Sequence, residues 1–349
     1  MKKFLAVLMS LLMIAAFSAC SGTEKSEESV SESSEQSSEP AVSESETSQE
    51  PVYEGTTINI GMLKGPTGMG AAWLMEQDSL GTTVNDYNFT LAGAPDVLTS
   101  QLLSGELDMA ALPTNVISTL YNKANGEIEI LGVNTLGVLY ILENGDTIQS
   151  VADLAGKTIL ASGQGSTAEY VLDYILAQNG LTVGEDVEVF WATEHSEAAT
   201  LALAGEYDVV MLPEPFVTSV TAQSDDFRIA LDLTAEWESL GNGELTMGGV
   251  AVRKEFADAN PEAVAAFLEE YGESITYTQE NTADAAALIE KYEIATAAVA
   301  QSALPRCNIV WYTGEAMKAP LESFYQVLYD YNPATVGGAL PGEDFYYQA

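Results

Sequence analysis

Two spacings of apolar residues alternate along the chain from about residue 56 onward. Thr57-Ile58-Asn59-Ile60-Gly61-Met62-Leu63 alternates with period two, as a strand with one face on a core does. Thr67 to Gln77 then carries helical spacing, and Asn88-Phe89-Thr90-Leu91 returns to strand. Pro95 to Ser104 is helical again, with Val97, Leu98, Gln101 and Leu102 on one side, and Gly105 supplies a helix stop. Met109-Ala110-Ala111-Leu112 reads as a short buried strand. This rhythm predicts an open α/β sheet.

The rhythm recurs at an offset of one hundred residues. Gly105-Glu106-Leu107-Asp108-Met109-Ala110-Ala111-Leu112-Pro113 aligns with Gly205-Glu206-Tyr207-Asp208-Val209-Val210-Met211-Leu212-Pro213, identical at five of nine positions. Upstream, Gly65-Pro66-Thr67-Gly68 follows strand 57–63, and Gly165-Ser166-Thr167-Ala168 follows strand 157–161. Two lobes of one internal topology are therefore expected. The chain goes over near Tyr140 to Val151 and returns near Met247 to Arg253. That gives lobe 1 as residues 56–142 plus 252–349 and lobe 2 as 143–251, with two crossings forming a hinge. Asn260-Pro261 opens a helix with an apolar stripe of Val264, Phe267, Leu268 and Tyr271. Further helices at 283–292, 294–303 and 314–330 would cover the sheet of lobe 1.

The first 55 residues follow neither spacing. Lys2 and Lys3 precede an apolar run from Phe4 to Phe17, too short and wrongly flanked for a membrane span, so residues 1–19 read as a secretory signal. Phe17-Ser18-Ala19-Cys20 resembles a bacterial lipobox, with Phe17 where Leu is usual. That resemblance implies that Cys20 becomes the lipidated first residue, with two acyl chains for stable anchoring. Residues 21–54 hold eleven Ser, ten Glu and a single Lys, a composition that cannot bury enough apolar surface to order itself. Residues 20–55 are expected to tether the folded part to the membrane, with a reach of roughly 30 Å.

Composition removes several functions. With 52 Asp+Glu against 12 Lys+Arg, a formal charge of −40, the surface offers nucleic acid no basic patch. One His and two Cys exclude zinc ribbons and disulfide frameworks, and no metal or cofactor is expected. No nucleophile elbow, metalloprotease helix or phosphate loop appears. His195, beside Glu194 and Glu197, reads as a surface loop residue, and Cys307 as a buried, inert thiol.

The remaining chemistry collects where strands hand over to helices. In the Gly65 and Gly165 loops the first helical N–H groups lack partners and the helix dipole is positive. Thr67, Ser166 or Thr167 there either cap their helices or, with those N–H groups, hold a ligand's oxygen. In open α/β sheets ligands collect beyond the carboxyl ends of strands. Lys64 is either a site cation or a solvated strand-end residue. Glu214 either accepts hydrogen bonds from a nitrogen-rich ligand or fixes its loop through a salt bridge. Asn115 and Thr135 are hydrogen-bonding candidates at the same cleft edge. None of Arg228, Arg253 and Arg306 falls in a loop expected to face the cleft, so no Arg clamp on an oxyanion is evident.

Leu63-Lys64-Gly65-Pro66-Thr67-Gly68-Met69-Gly70, Ser150-Val151-Ala152-Asp153-Leu154-Ala155-Gly156-Lys157-Thr158-Ile159, Glu214-Pro215 after a strand, and the tail from Val336 to Tyr347 together resemble one family. It is the solute-binding lipoproteins of ABC importers of the nitrate/sulfonate/taurine and thiamine-precursor type, and the resemblance spans about residues 56–347. It implies a two-lobe type II periplasmic-binding-protein fold, no catalytic residue, and a monomer on the extracytoplasmic face of the cell membrane. Its partners would be a small-molecule solute, the permease's transmembrane subunits, and the membrane through the lipid. The ligand would be a nitrogen heterocycle such as a thiamine pyrimidine precursor, or a sulfonate. Lys64, Gly65, Thr67, Gly68, Met69, Asn115, Thr135, Gly165, Ser166, Thr167 and Glu214 would bind it. The competing expectations are an enzyme of this fold acting on a pyrimidine precursor, and a surface adhesin.

Overall fold

The computed structural model describes residues 53–348. The signal segment, Cys20 and the Ser/Glu run to residue 52 lie outside the described residues. The last residues assigned to the tether, 53–55, already belong to the fold. The Tyr53 hydroxyl donates to Oδ1 of the fully buried Asn85 at 2.6 Å, and the Thr56 amide donates to the same oxygen at 3.2 Å.

The first half of the chain runs β1 (Thr57–Leu63), α1 (Pro66–Ser79), β2 (Asp86–Ala92), α2 (Pro95–Ser104), β3 (Met109–Pro113), α3 (Thr114–Lys123), β4 (Ile128–Leu136). It crosses into β5 (Leu139–Asn144), then β6 (Thr158–Ser162), α4 (Thr167–Gln178), β7 (Glu188–Ala192), α5 (His195–Leu203), β8 (Val209–Pro213), α6 (Phe216–Gln223), β9 (Phe227–Asp232) and α7 (Leu233–Ser239). It returns in β10 (Thr246–Arg253), followed by α8 (Lys254–Ala259), α9 (Pro261–Glu280), α10 (Thr282–Lys291), α11 (Ala297–Ala303), β11 (Ile309–Thr313) and α12 (Glu315–Tyr331).

Two sheets result, ordered β11-β4-β10-β3-β1-β2 and β7-β6-β8-β5-β9. In the first, β1 runs parallel to β2 and β3, and β10 lies antiparallel between β3 and β4. In the second, β6 runs parallel to β7 and β8, and β5 lies antiparallel between β8 and β9. The repeat seen in the sequence is thus a repeat of topology. Gly105 and Gly205, at φ 79° and 74°, turn the chain out of α2 and α5 in a conformation that only glycine adopts cheaply.

In each sheet the strand that arrives from the other lobe, β10 in the first and β5 in the second, runs antiparallel to both of its neighbours. The crossings therefore fall at residues 137–138 and 240–245, whereas the sequence reading cut at 142/143 and 251/252, inside β5 and β10. Leu139 to Leu142 are all buried, as are Gly248 to Val252. An unbroken apolar strand does not say which sheet it joins.

Alternate residues of the strands feed different layers. Ile58, Ile60 and Met62 with Met109 and Ala111 face α1, α9, α10 and α11, while Ala110 and Leu112 face the opposite side. In lobe 2, Val210 and Leu212 pack towards α5 and α6, and Met211 packs with α4 and α7. The lobes meet along α12, where Trp237 of α7 packs on Phe324 (ring centroids 5.5 Å apart) and Tyr174 of α4 on Tyr331 (5.6 Å). The tail closes over lobe 1, with Phe345 fully buried and the Tyr347 amide on the Ile130 carbonyl at 3.0 Å.

Gly137, in the first crossing, sits where a side chain has no room. A Cβ there would lie 2.1 Å from Thr234 Oγ1 and 2.6 Å from its Cγ2. Gly137→Ala is expected to destabilise the protein by about 1–3 kcal/mol through overpacking. Adding Thr234→Ala, which removes the two nearest atoms and leaves the Thr234 Cβ at 2.8 Å, should recover part of that loss in a denaturant melt. Additive losses in the double variant would mean that the crossing is not packed as described.

Candidate functional site

The carboxyl ends of the two sheets' parallel strands face one another and enclose a cavity of about 100 Å³. Its walls are the first turns of helices from both lobes. From lobe 1 come Lys64, Gly65, Pro66 and Thr67 at the β1–α1 junction, with Gly93 and Pro95 before α2. From lobe 2 come Gly163, Ser166, Thr167 and Ala168 before and in α4, His195 at the start of α5, and Glu214 and Phe216 before α6. Thr135, Val138 and Leu139 at the first crossing and Met247 and Gly248 after the second close the hinge side. Strand ends carry helix starts here because each β-α unit turns through a short loop, so several positive helix termini converge on one space.

The polar groups of that space are held by local bonds. Ser166 caps α4, its hydroxyl accepting from the Ala168 amide at 3.4 Å and donating to the Gly163 carbonyl at 2.5 Å. Gly163 and Gly165, at φ 90° and 75°, let the loop fold back tightly enough for this. The Thr67 hydroxyl lies 3.3 Å from both the amide and the carbonyl of Leu63, tying the first turn of α1 to β1. Thr135 donates to Asn134 Oδ1 at 3.1 Å.

Of the residues singled out by sequence, Lys64, Gly65, Thr67, Thr135, Ser166, Thr167 and Glu214 line the cavity, and four do not. Gly68 turns towards β1, where a Cβ would stand 2.5 Å from the Leu63 carbonyl oxygen. Met69 is fully buried beneath α1 with its sulfur 3.9 Å from Cys307 Sγ. Each helical residue rotates the side chain by about 100°, so only the first positions of α1 can face the cleft. Gly165 opens to the outer side of its loop, its amide donating to Glu169 Oε2 at 2.6 Å. Asn115 bridges the lobes. Its Oδ1 accepts from the Thr167 hydroxyl at 2.9 Å, and its Nδ2 lies 3.4 Å from the Gly165 carbonyl and 3.3 Å from that of Thr335.

Glu214 is fully buried and not free. Arg306, just after α11, reaches across from lobe 1 with Nε donating to its Oε1 at 2.6 Å, and the Thr218 amide donates to Oε2 at 3.1 Å. A second Arg306 nitrogen donates to the Thr218 hydroxyl at 2.8 Å. No arginine is among the residues that line the cavity; Arg306 instead meets the wall residue Glu214. Arg306 lies over ninety residues from Glu214 in sequence, and only the packing of α11 against α6 brings them together.

His195, expected on the surface, lines the cavity. Its Nδ1 is 2.5 Å from Ser162 Oγ and its ring packs 5.4 Å from that of Phe216. The hundred-residue repeat was the available signal, since it pairs His195 with Pro95, and both begin the second helix of their lobe at the cavity wall. Burial pushes the imidazole pKa down to about 4, so it is neutral at pH 7. A folded pKa below the unfolded value near 6.5 gives stability that is complete above pH 6.5 and lost as pH falls towards 4. His195→Gln is therefore expected to melt more favourably relative to wild type at pH 4.5 than at pH 7, by about 2 kcal/mol. Asp173, raised to about 6 by burial and Glu169, titrates in the same window with opposite sign, but it is common to both proteins and cancels in the difference. A difference that does not change with pH would place the imidazole in solvent.

Cys307 is fully buried in the core of lobe 1, and burial pushes its thiol well above the ordinary range, as expected for an inert cysteine. Among the described residues, Lys64, Lys123 and Lys157 are the cations in no ion pair, and two of them border the interlobe space. No described helix is long and apolar enough to cross a membrane.

This architecture has close parallels. The chain aligns over 84% of its length with 99% of an ABC transporter protein from Parabacteroides distasonis, at a TM-score of 0.68 and 22% identity. The alkanesulfonate-binding protein SsuA from Xanthomonas axonopodis pv. citri, solved bound to MOPS, aligns over 83% of this chain and 96% of its own, with a TM-score of 0.66 and 19% identity. A Candida albicans protein described as having the generic periplasmic binding protein fold aligns over 83% and 92%, at 0.57 and 15%. These likenesses establish the periplasmic-binding-protein fold that the sequence implied. No curated protein sequence matches the chain. The sequence model of one family does, over residues 73–303, and it is described as the phosphonate periplasmic substrate-binding protein of ABC transporters, a solute class that sequence reading had not named. The chain belongs to this family of periplasmic substrate-binding proteins of ABC transporters.

Proposed function

We propose that the protein captures a small organic oxyanion, a phosphonate or sulfonate, between its lobes and hands it to a membrane permease. The observation that carries this reading is the cavity wall. The first turns of α1 and α4 face each other across about 100 Å³, each with a threonine hydroxyl, and Lys64, in no ion pair among the described residues, stands at the edge. Amide groups of a first helical turn and the helix dipole favour negative charge. The one carboxylate in the wall, Glu214, is matched by Arg306, so it neither repels an anion nor is free to hold an aminopyrimidine. Family membership and the sulfonate-binding neighbour support the same class.

Capture follows from the contacts between lobes. The Asn115–Thr167 and Arg306–Glu214 bonds require the lobes to be together, as does a cavity walled by both. A ligand that touches both walls gains contacts only in the closed form and so shifts the population towards it. The closed form would be the surface that the permease reads. Lipidation at Cys20 would keep the protein on the extracytoplasmic face.

Replacing Lys64 by Gln and Thr67 by Val together should raise the Kd for methylphosphonate or methanesulfonate at least about tenfold, the scale of losing one or two hydrogen bonds to a charged group. The melting temperature without ligand should hardly move, because Lys64 is exposed and the Thr67 bonds are long. Unchanged affinity in calorimetry would reject this wall as the binding surface.

A further inference from the structure

The cavity of about 100 Å³ is small beside the roughly 300–1,000 Å³ usual for organic ligands. It is not the whole of the interlobe space. A second chamber of about 620 Å³ adjoins it, and Pro95, Gly163 and Ser166 line both. Like the inner cavity, it is walled by the two lobes: by α2 and α3 on one side, by the 163–166 loop, α4 and the end of β7 on the other.

The walls of this chamber differ in kind from those of the inner cavity. Tyr170 and Trp191 contribute aromatic surface, both only half-buried, from the α4 and β7 side. Lys123, one of the three cations in no ion pair among the described residues, lies on the opposite wall, and Asp96 is on that wall as well. Half-exposed aromatic faces next to a small cavity walled by helix first turns suit a planar group, since they offer large contact area at little entropic cost. The two spaces share the wall residues Pro95, Gly163 and Ser166, and beside them Gly165 has nothing within 4 Å of where a Cβ would be.

We propose that the outer chamber is a second subsite, which takes a planar aromatic tail of the ligand whose anionic head sits in the inner cavity. The preferred solute is then an aryl-substituted organic oxyanion, with the head held by the α1 and α4 turns and the ring against Trp191 and Tyr170. This rests on the oxyanion reading above and adds the tail to it.

The test is a calorimetric titration of the protein with methanesulfonate, methylphosphonate, and their 2-phenylethyl counterparts. The phenylethyl compounds are expected to bind at least tenfold more tightly than the methyl ones, and to quench or shift Trp fluorescence that Trp191→Phe removes. In Trp191→Ala the tail's advantage should fall to about threefold or less, while affinity for the methyl compounds stays the same, which also shows the variant to be folded. Equal affinity for methyl and phenylethyl compounds, or an advantage that survives Trp191→Ala, would overturn the outer subsite and leave the head-group reading standing. Binding of neither pair would overturn the head-group reading and this inference together. Should Trp191→Ala fail to bind even the methyl compounds, Lys123→Trp decides from the opposite wall. A ring that fills the chamber should abolish the phenylethyl advantage alone, and an advantage that persists would overturn the subsite.

Discussion

Arg306→Met is expected to destabilise the protein by about 2–4 kcal/mol and to weaken ligand binding as well. Glu214 is fully buried, and among the described residues Arg306 is the one cation paired with it, at 2.5–2.6 Å. Removing one partner of a buried pair strands the other, which costs about 3–5 kcal/mol when both are enclosed. The Arg306 side chain is 40% exposed, so water offsets part of that and the lower range applies. Because the pair joins the lobes, some of the loss appears as opening, and the Kd should rise with the fall in stability. The variant Arg306→Met/Glu214→Gln carries no stranded charge and should recover more than half the stability in a urea melt. A double variant no better than the single would show that the two residues do not act on each other.

Asn115→Leu should produce the second largest loss. The side chain is 1% exposed and bonds to Thr167, Gly165 and Thr335, so its removal leaves the Thr167 hydroxyl and two carbonyls buried without it. Two of those contacts are longer than 3.2 Å and contribute little, and about 2 kcal/mol is expected in total. The bonds to Thr167 and Gly165 exist only while the lobes touch, whereas the bond to Thr335 lies within lobe 1. Hence the loss should divide, with affinity for a small oxyanion falling roughly tenfold and the melt of the unliganded protein falling by the remainder. Thr167→Val, which spares the Thr335 contact, should reproduce the affinity loss with a smaller change in melting temperature. If Asn115→Leu lowers the melting temperature and leaves affinity untouched, Asn115 stabilises lobe 1 alone and plays no part in closure.

The elements were legible in the sequence because each depends on neighbours along the chain. Pro95 to Ser104 is helical from end to end as expected, since Pro at the first turn and Gly105 after the last are local signals. The repeat at one hundred residues foretold the matching topology of the two sheets because short β-α units carry the same turn chemistry wherever they occur. Partners that depend on the packing of distant segments stayed hidden. Arg306 meets Glu214 only through the docking of α11 on α6, and nothing near Arg306 in the sequence points to a cleft. Gly68 and Met69 lie off the cavity for a geometric reason, since the third and fourth residues of α1 have already rotated towards the sheet and core. His195 stands in the sequence as a lone loop histidine, but the repeat that relates the two lobes also pairs it with Pro95.

Whether the lobes close on an oxyanion at the α1 and α4 turns is decided by a calorimetric titration of one protein sample against four solutes. The solutes are methylphosphonate, methanesulfonate, nitrate and an aminopyrimidine, each followed by the melting temperature at saturation. One-to-one binding of the phosphonate or sulfonate, with stabilisation of about 2.7 kcal/mol at a hundred times Kd, is the predicted result. The Lys64→Gln/Thr67→Val variant should abolish most of it. Binding of the aminopyrimidine with silence from all three oxyanions would contradict the account, and would mean that Glu214 leaves Arg306 to hold the ligand.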